Sequence, residues 1–168
     1  MSLQEYPYDT LLHRAAVVAK LAHLNQGYGV KDYYEHHVLG VVNVLNVSMR
    51  APTARHLIVA MLHDVIEDTV ITPFDLEALG FPHSIIQDVV TITRSENETY
   101  AEYIDRIAKD NGVALRVKIA DLRFNLKESY DLRDSKKDAA IIKVIQKRID
   151  RYAKAERKLN AIAKGEFE

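Results

Sequence analysis

The sequence predicts an all-α fold, and three observations carry the prediction. Apolar residues recur at helical spacing through nearly every segment. The six glycines and four prolines fall mostly between those segments, where helix breakers belong. There is no cysteine in 168 residues, so no disulfide framework is available to brace a loop-rich fold. A chain of this length buries roughly 70 % of its unfolded surface, and one domain over residues 1–168 is expected.

Eight helices are expected, at about 8–25, 32–49, 52–67, 73–80, 82–92, 99–110, 112–129 and 135–163. The second opens on Tyr34-Glu35-His36-His37, and its apolar face is set by Val38, Val41, Val42 and Leu45. At 100° per residue His37 falls at the edge of that face and His36 nearly opposite. Ala51-Pro52 separates the second helix from the third, whose broad apolar face is Leu57, Ile58, Met61, Leu62, Val65 and Ile66. Thr72-Pro73 starts the fourth, with Thr72 as N-cap and the proline in the first turn. Gly80-Phe81-Pro82 ends it. The β-branched run Ile85 to Thr93 fits a buried helix or a strand equally by periodicity. Ser95-Glu96-Asn97-Glu98 is a polar loop before the sixth helix, and Ile119, Leu122 and Leu126 make the buried stripe of the seventh. The last helix carries nine basic and three acidic residues between Lys136 and Lys158, with Ile141, Ile145, Ile149 and Tyr152 as its apolar stripe. No aromatic residues alternate with its charges, which favours a packed helix with a solvated basic face over a nucleic-acid contact.

Composition excludes several classes. With 23 Lys+Arg against 24 Asp+Glu, the net charge of -1 argues against a protein whose whole surface binds nucleic acid. The longest pure apolar run, Leu57 to Leu62, is far short of the roughly 20 residues of a membrane span. The N-terminus lacks a basic stretch followed by an apolar core, so no secretory signal is read and the cytoplasm is the expected compartment. Without cysteine there is no thiolate zinc site and no cysteine nucleophile. A bound metal would have to use the seven histidines and 24 carboxylates.

Arg55 to Asp68, RHLIVAMLHDVIED, places His63, Asp64, Glu67 and Asp68 in one arc beside its apolar face. Three carboxylates in the last turns of a helix face an unfavourable dipole and repel one another. Something cationic should offset them. The spacing leaves two readings open: a divalent metal, which would also use the histidine, or salt bridges to Arg55, Lys118 or Arg123. A further cluster, Val117-Lys118-Ile119-Ala120-Asp121 with Asn125 one turn on, pairs Asp121 with Lys118 or offers it as a ligand.

His37, then the adjacent pair His63-Asp64, then a distant Asp121, resembles the ligand order of HD-domain metal-dependent phosphohydrolases. The segment His63 to Thr69, HDVIEDT, is similar to the His-Asp-Val-x-Glu-Asp-Thr motif of RelA/SpoT-type (p)ppGpp hydrolase domains. Thr72-x-x-Asp75-Leu76, Ala22-His23-x-x-Gln26, His37-x-Leu39-x-Val41 and Val117-Lys118-Ile119-Ala120-Asp121 with Asn125 also follow that family's pattern. The resemblance covers roughly residues 10–130. It implies an HD-type helical bundle of about eight helices around a single-metal site. The stretch after residue 130 leaves no room for a synthetase domain, which implies the small, hydrolase-only form.

By position, the resemblance makes His37, His63, Asp64 and Asp121 the metal ligands. Glu67 and Asp68 become the residues that orient and deprotonate the attacking water or protonate the leaving oxygen. Asn125 becomes a nucleotide contact. The family's usual ion is manganese; iron, cobalt, nickel or zinc also suit two histidines and two carboxylates. Arg94, Tyr100 and Lys118 are candidate phosphate contacts, each also readable as a surface ion pair or a core residue. The chain departs from the pattern at two places. The family's nucleotide-holding Arg falls on Tyr28, with Lys31 and Arg94 the candidates to replace its charge, and the Pro-Tyr before the first ligand is Tyr33-Tyr34. The implied activity is removal of the 3′-pyrophosphate of (p)ppGpp, a small nucleotide partner. The alternatives are an HD phosphatase on another nucleotide such as a nucleoside monophosphate or NADPH, and a non-catalytic, metal-stabilised helical binding module. A homo-oligomer is compatible with the sequence but not specified by it.

Overall fold

The structure is a computed structural model that describes residues 8–167; the N-terminal residues 1–7, read above for a signal sequence, lie outside the described residues. Helix α1 (Tyr8–Ala22) buries Leu11, Ala15, Val18 and Ala19, spaced i, i+4, i+7, i+8. It stops short of residue 25 because Asn25 takes a left-handed conformation, φ 68. A short antiparallel hairpin that the helical reading did not anticipate follows, with β1 (Gly27–Tyr28) paired to β2 (Lys31–Asp32). Its two-residue turn carries Gly29 at φ 65, where glycine has no Cβ to clash.

The expected helix over 32–49 is built in two pieces. A π-helical turn spans Tyr34–Val38, with Asp32 Oδ1 accepting the Glu35 N–H at 2.8 Å, and α2 (Leu39–Ser48) continues from it. Such single π turns widen the backbone and collect at functional sites. The expected helix over 52–67 is also divided. Helix α3 (Ala54–Leu62) ends at His63, and one turn, α4 (Val65–Asp68), follows. The joint is Asp64, at φ -103 and ψ -2, in the bridge region between helix and strand. The expected apolar face survives the break, with Ile58, Leu62 and Val65 fully buried.

Helix α5 (Pro73–Ala78) starts as expected, with Thr72 capping and Asp75 returning the bond to the Thr72 N–H at 2.8 Å. The β-branched run resolves as helix α6 (His83–Ile92), buried through Ile85, Ile86, Val89 and Ile92. Helix α7 (Tyr100–Asp110) opens on a Thr99–Glu102 capping box and ends at left-handed Asn111. Helix α8 (Val113–Asp134) runs five residues past the expected end, and α9 (Ala139–Ala163) is capped by Asp138. The described residues thus hold nine α-helices rather than eight, because the third is split. Ile145 and Ile149 of the α9 stripe are buried, but Ile141 is 46 % exposed, because it lies in the first turn of α9. The tail returns: Arg50 N–H donates to Glu166 O at 2.9 Å, and Arg116 grips the Glu166 carboxylate with two bonds.

Helix α8 is the post of the bundle, with α2, α3, α6, α7 and α9 all packed on it. Its approach to α2 depends on Gly40. A methyl group there would drive into the ring of Phe124, which packs edge-on to His37 with centroids 5.1 Å apart. Gly40→Ala should therefore cost about 1–3 kcal/mol as an overpacked contact. A denaturant melt measures the loss.

Candidate metal centre

Three side chains from separate parts of the chain, His37, His63 and Asp64, converge on one point, and Asp121 flanks the two imidazoles. The π turn at 34–38 aims His37 inward, 3 % exposed, and leaves His36 outside, paired with Glu128 at 2.8 Å. The end of α3 delivers His63, the bridge-region joint delivers Asp64, and the third turn of α8 buries Asp121, 4 % exposed. His37 Nε2 lies 3.2 Å from His63 Nε2, 3.1 Å from Asp64 Oδ2 and 3.6 Å from Asp121 Oδ1. His63 Nε2 lies 2.9 Å from Asp64 Oδ2 and 4.0 Å from Asp121 Oδ1. Ligands held at about 2.0–2.2 Å from one ion stand roughly 3–4 Å apart, which is the spacing seen.

The donor chemistry fits a cation. His63 Nδ1 is 2.8 Å from the Ala60 carbonyl oxygen, which can only accept, so Nδ1 carries a proton and Nε2 is the nitrogen that a cation would take. His37 is oriented by rings instead. Tyr28 stacks on it at 5.3 Å with planes 5° apart, Phe124 meets it edge-on, and its buried Nδ1 has no hydrogen-bond partner among the described residues. Two imidazole nitrogens and a carboxylate oxygen gathered in a buried site, with Asp121 beside them, are a donor set that could hold a cation. The electrostatics say the same. Burial alone would lower His63, but Asp64 and Asp121 outweigh it and lift the imidazole to about 9. Burial works against ionised Asp64 as well, yet His63 and His37 hold it well below the usual carboxylate range. Nitrogen and oxygen donors in this mixture suit manganese, iron, cobalt, nickel or zinc.

The three cations offered as salt-bridge partners of the acidic wedge form their ion pairs with other carboxylates. Lys118 Nζ donates to Asp121 Oδ2 at 2.7 Å, and Oδ1 is the oxygen that faces the two imidazoles. Burial would lower Lys118, but Asp121 keeps it well above the usual lysine value. Arg55 pairs with Asp88 and Arg123 with Glu156.

Glu67 and Asp68 are exposed on the rim. Glu67 Oε2 accepts the Arg94 backbone N–H at 2.9 Å. Burial pushes the Glu67 carboxyl up against that bond, and the charges of Asp64 and Asp68 add to the rise. An open groove of about 460 Å³ borders Glu67, lined by Ile66, Thr93, Arg94, Ser95 and Glu96. That size suits a small organic ligand.

The remaining candidates are distributed unevenly. Asn125 sits beside the cluster: its Nδ2 donates to Asp121 Oδ1 at 2.5 Å, and its Oδ1 accepts from the Tyr28 hydroxyl at 3.1 Å. Burial first, then Glu128, pushes Tyr28 up to about 12. Tyr100 lies under the Arg151 guanidinium at 4.9 Å, and its buried hydroxyl has no partner among the described residues. Lys31 stands at the mouth, bonded to His36 at 3.0 Å. Arg94 lines the groove beside Glu67, with its guanidinium donating twice to the Glu98 carbonyl oxygen.

Sequence reasoning did not single out three residues near the centre. Tyr33 donates to Asp64 Oδ2 at 2.5 Å and approaches Asp68 Oδ2 at 3.1 Å. Its spacing of four from His37 is the available signal. Arg148 and Tyr152 of α9 act electrostatically on the Tyr28 hydroxyl, and Arg148 Nε is buried with no hydrogen-bond partner among the described residues. Nothing in the local pattern of α9 separates these two from its other basic and apolar residues.

Comparison with solved structures finds the same fold in a metazoan orthologue of SpoT, described as hydrolysing ppGpp and playing a role in starvation responses. The two share 24 % identity with a TM-score of 0.64, over 94 % of this chain and 95 % of that one. At that identity the likeness establishes the fold alone, an all-α bundle as the sequence predicts. No protein-family model and no curated protein matches the chain. No helix among the described residues is long and apolar enough to cross a membrane.

Proposed function

We propose that this protein is a divalent-metal-dependent phosphohydrolase that removes the 3′-pyrophosphate of (p)ppGpp. The observation that carries the reading is the convergence of His37, His63 and Asp64 on one point, with Asp121 Oδ1 3.6 and 4.0 Å from the two imidazole nitrogens and Glu67 and Asp68 one turn beyond Asp64. The fold shared with the metazoan SpoT orthologue supports the substrate. His37, His63, Asp64 and Asp121 would hold the ion, for which we propose Mn²⁺. When bound, it supplies positive charge for the phosphoryl oxygens and lowers the pKa of the attacking water.

The chain's own residues do the rest. Glu67, whose surroundings raise its proton affinity, accepts the proton of the water. Asp68 orients that water. The oxygen of water bonds to the phosphorus attached to O3′, the P–O3′ bond breaks, and a proton is returned to O3′ of the leaving nucleotide. Asn125 contacts the nucleotide. Tyr28, Tyr100 and Lys31 line the approach with hydroxyls and one cation, and Arg94 closes the Glu67 side. We place the enzyme in the cytoplasm.

Incubation with ppGpp, with and without Mn²⁺, tests the reading. GDP and pyrophosphate should form only with the ion. A second reading is favoured by one observation: the residue at the family's nucleotide-holding Arg position, Tyr28, is uncharged and its hydroxyl is spent on Asn125. On that reading the substrate carries less phosphate, such as a nucleoside monophosphate or NADPH. A panel including both decides, and a metal-loaded protein inactive on every member returns the non-catalytic module.

A further inference from the structure

Tyr33 occupies the place where the related hydrolase motif has proline, and its ring is 8 % exposed. It is held on three sides. Its N–H donates to Gln26 O at 3.1 Å, its ring lies 4.8 Å from His23, and its other side lies 5.0 Å from His37. His23 is itself pinned, its Nδ1 giving a proton to Gln26 Oε1 at 2.7 Å. The phenol therefore has little freedom except rotation of its O–H.

That hydroxyl has one proton and two carboxylates in reach. Asp64 Oδ2 is 2.5 Å away, at the short end of charge-assisted O–H···O⁻ bonds, and Asp68 Oδ2 is 3.1 Å away, just beyond the ordinary range. The proton belongs to Asp64. But Oδ2 of Asp64 is also the oxygen that faces His37 and His63, the one a cation would take.

We propose that Tyr33 is a positioning residue whose single phenolic proton, shared between Asp64 and Asp68, couples the cation-holding carboxylate to the carboxylate that orients water. Once the charge on Asp64 Oδ2 is shared with a cation, Asp68 Oδ2 is the better acceptor, and the hydroxyl turns to it. Asp68 is thereby fixed only in the charged site. This role rests on the metal-dependent hydrolase reading for its consequence, though not for its geometry.

The chain has nine tyrosines and no tryptophan, so a near-ultraviolet difference spectrum reads phenols directly. Mn²⁺ is titrated into the wild type, Tyr33→Phe and Asp68→Asn, with thermal melts to confirm folding. Asp68→Ala, which removes the second acceptor that Asp68→Asn would keep in its amide oxygen, is titrated alongside, and the component of the metal-induced tyrosine signal lost in Tyr33→Phe should also be lost in Asp68→Ala. On the nucleotide the wild type turns over, Tyr33→Phe should lower kcat by about 10–100-fold with KM nearly unchanged, as for other residues that orient a metal site from behind its ligands. A Tyr33 component that persists in Asp68→Ala, or its absence from the wild-type signal, overturns the coupling. So does a wild-type kcat in Tyr33→Phe. Asp68 is exposed, so its variant keeps the spectral comparison available if Tyr33→Phe does not fold. If the wild type turns over no nucleotide, the hydrolase reading fails, and the titration still judges Tyr33.

Discussion

Asp64→Ala should abolish nucleotide hydrolysis, by about a thousandfold or more, and Mn²⁺ binding should weaken with it. Asp64 Oδ2 is the acceptor closest to both imidazole nitrogens, 2.9 Å from His63 and 3.1 Å from His37. Its removal leaves Asp121 as the one carboxylate among the proposed ligands, at 3.6 and 4.0 Å from the same nitrogens. A divalent ion contributes several kcal/mol to stabilising phosphoryl charge, and each 1.4 kcal/mol is about tenfold in rate. The control is another part-buried carboxylate. Asp88 pairs with Arg55 at 2.7 Å, outside the centre. Asp88→Asn should lower the melting temperature but leave Mn²⁺ affinity and kcat as they are. Isothermal titration and a pyrophosphate-release assay on both variants make the comparison. Hydrolysis that survives Asp64→Ala removes the metal mechanism.

How much of this centre the sequence discloses depends on what kind of signal each residue leaves. His37 is readable because burial is periodic: counting 100° per residue from Val38, Val41 and Leu45 turns it inward and His36 outward, as found. His63 and Asp64 are readable as an acidic wedge beside an apolar face, and Asp121 as a carboxylate next to a stripe. What periodicity does not disclose is local breakage of the helix. The π turn at 34–38 and the bridge-region joint at Asp64 keep right-handed backbone and the same hydrophobic face, so the pattern runs through them unchanged. The hairpin is too short to leave an alternating pattern, and Gly29 is its single mark. Tyr33 and Arg148 are hidden for another reason, and so is the bond that Tyr28 makes. Each acts on a residue distant in the chain: Tyr33 on Asp64, Tyr28 on Asn125, and Arg148 on Tyr28. Only the packing of the hairpin, α8 and α9 around His37 reveals such partners.

Lys118→Met should destabilise the metal-free protein and, at the same time, make it bind the cation more tightly. Lys118 is the cation that neutralises Asp121, donating at 2.7 Å with only 15 % of its side chain exposed and its ammonium 5.2 Å from the Tyr103 ring centre. Breaking one side of a buried ion pair costs about 3–5 kcal/mol, because the other charge stays buried without it. In a chain of this size that is on the order of 10 °C in melting temperature. The remaining partners of Asp121 are the Asn125 amide at 2.5 Å and the imidazoles of His37 and His63, so its charge turns toward the centre. A divalent ion placed there no longer competes with the ammonium, and its affinity should rise on the order of tenfold. Ligand that binds only the folded state adds stability by mass action, so saturating Mn²⁺ should restore more of the melting temperature in Lys118→Met than it adds to the wild type. The two signs separate three roles. A lysine that only packs would lower both melts equally. A lysine that grips the substrate phosphate would raise KM and leave the metal titration alone. The geometry, with the ammonium spent on Asp121, predicts the opposite movement of stability and affinity, and melts with and without Mn²⁺ measure both.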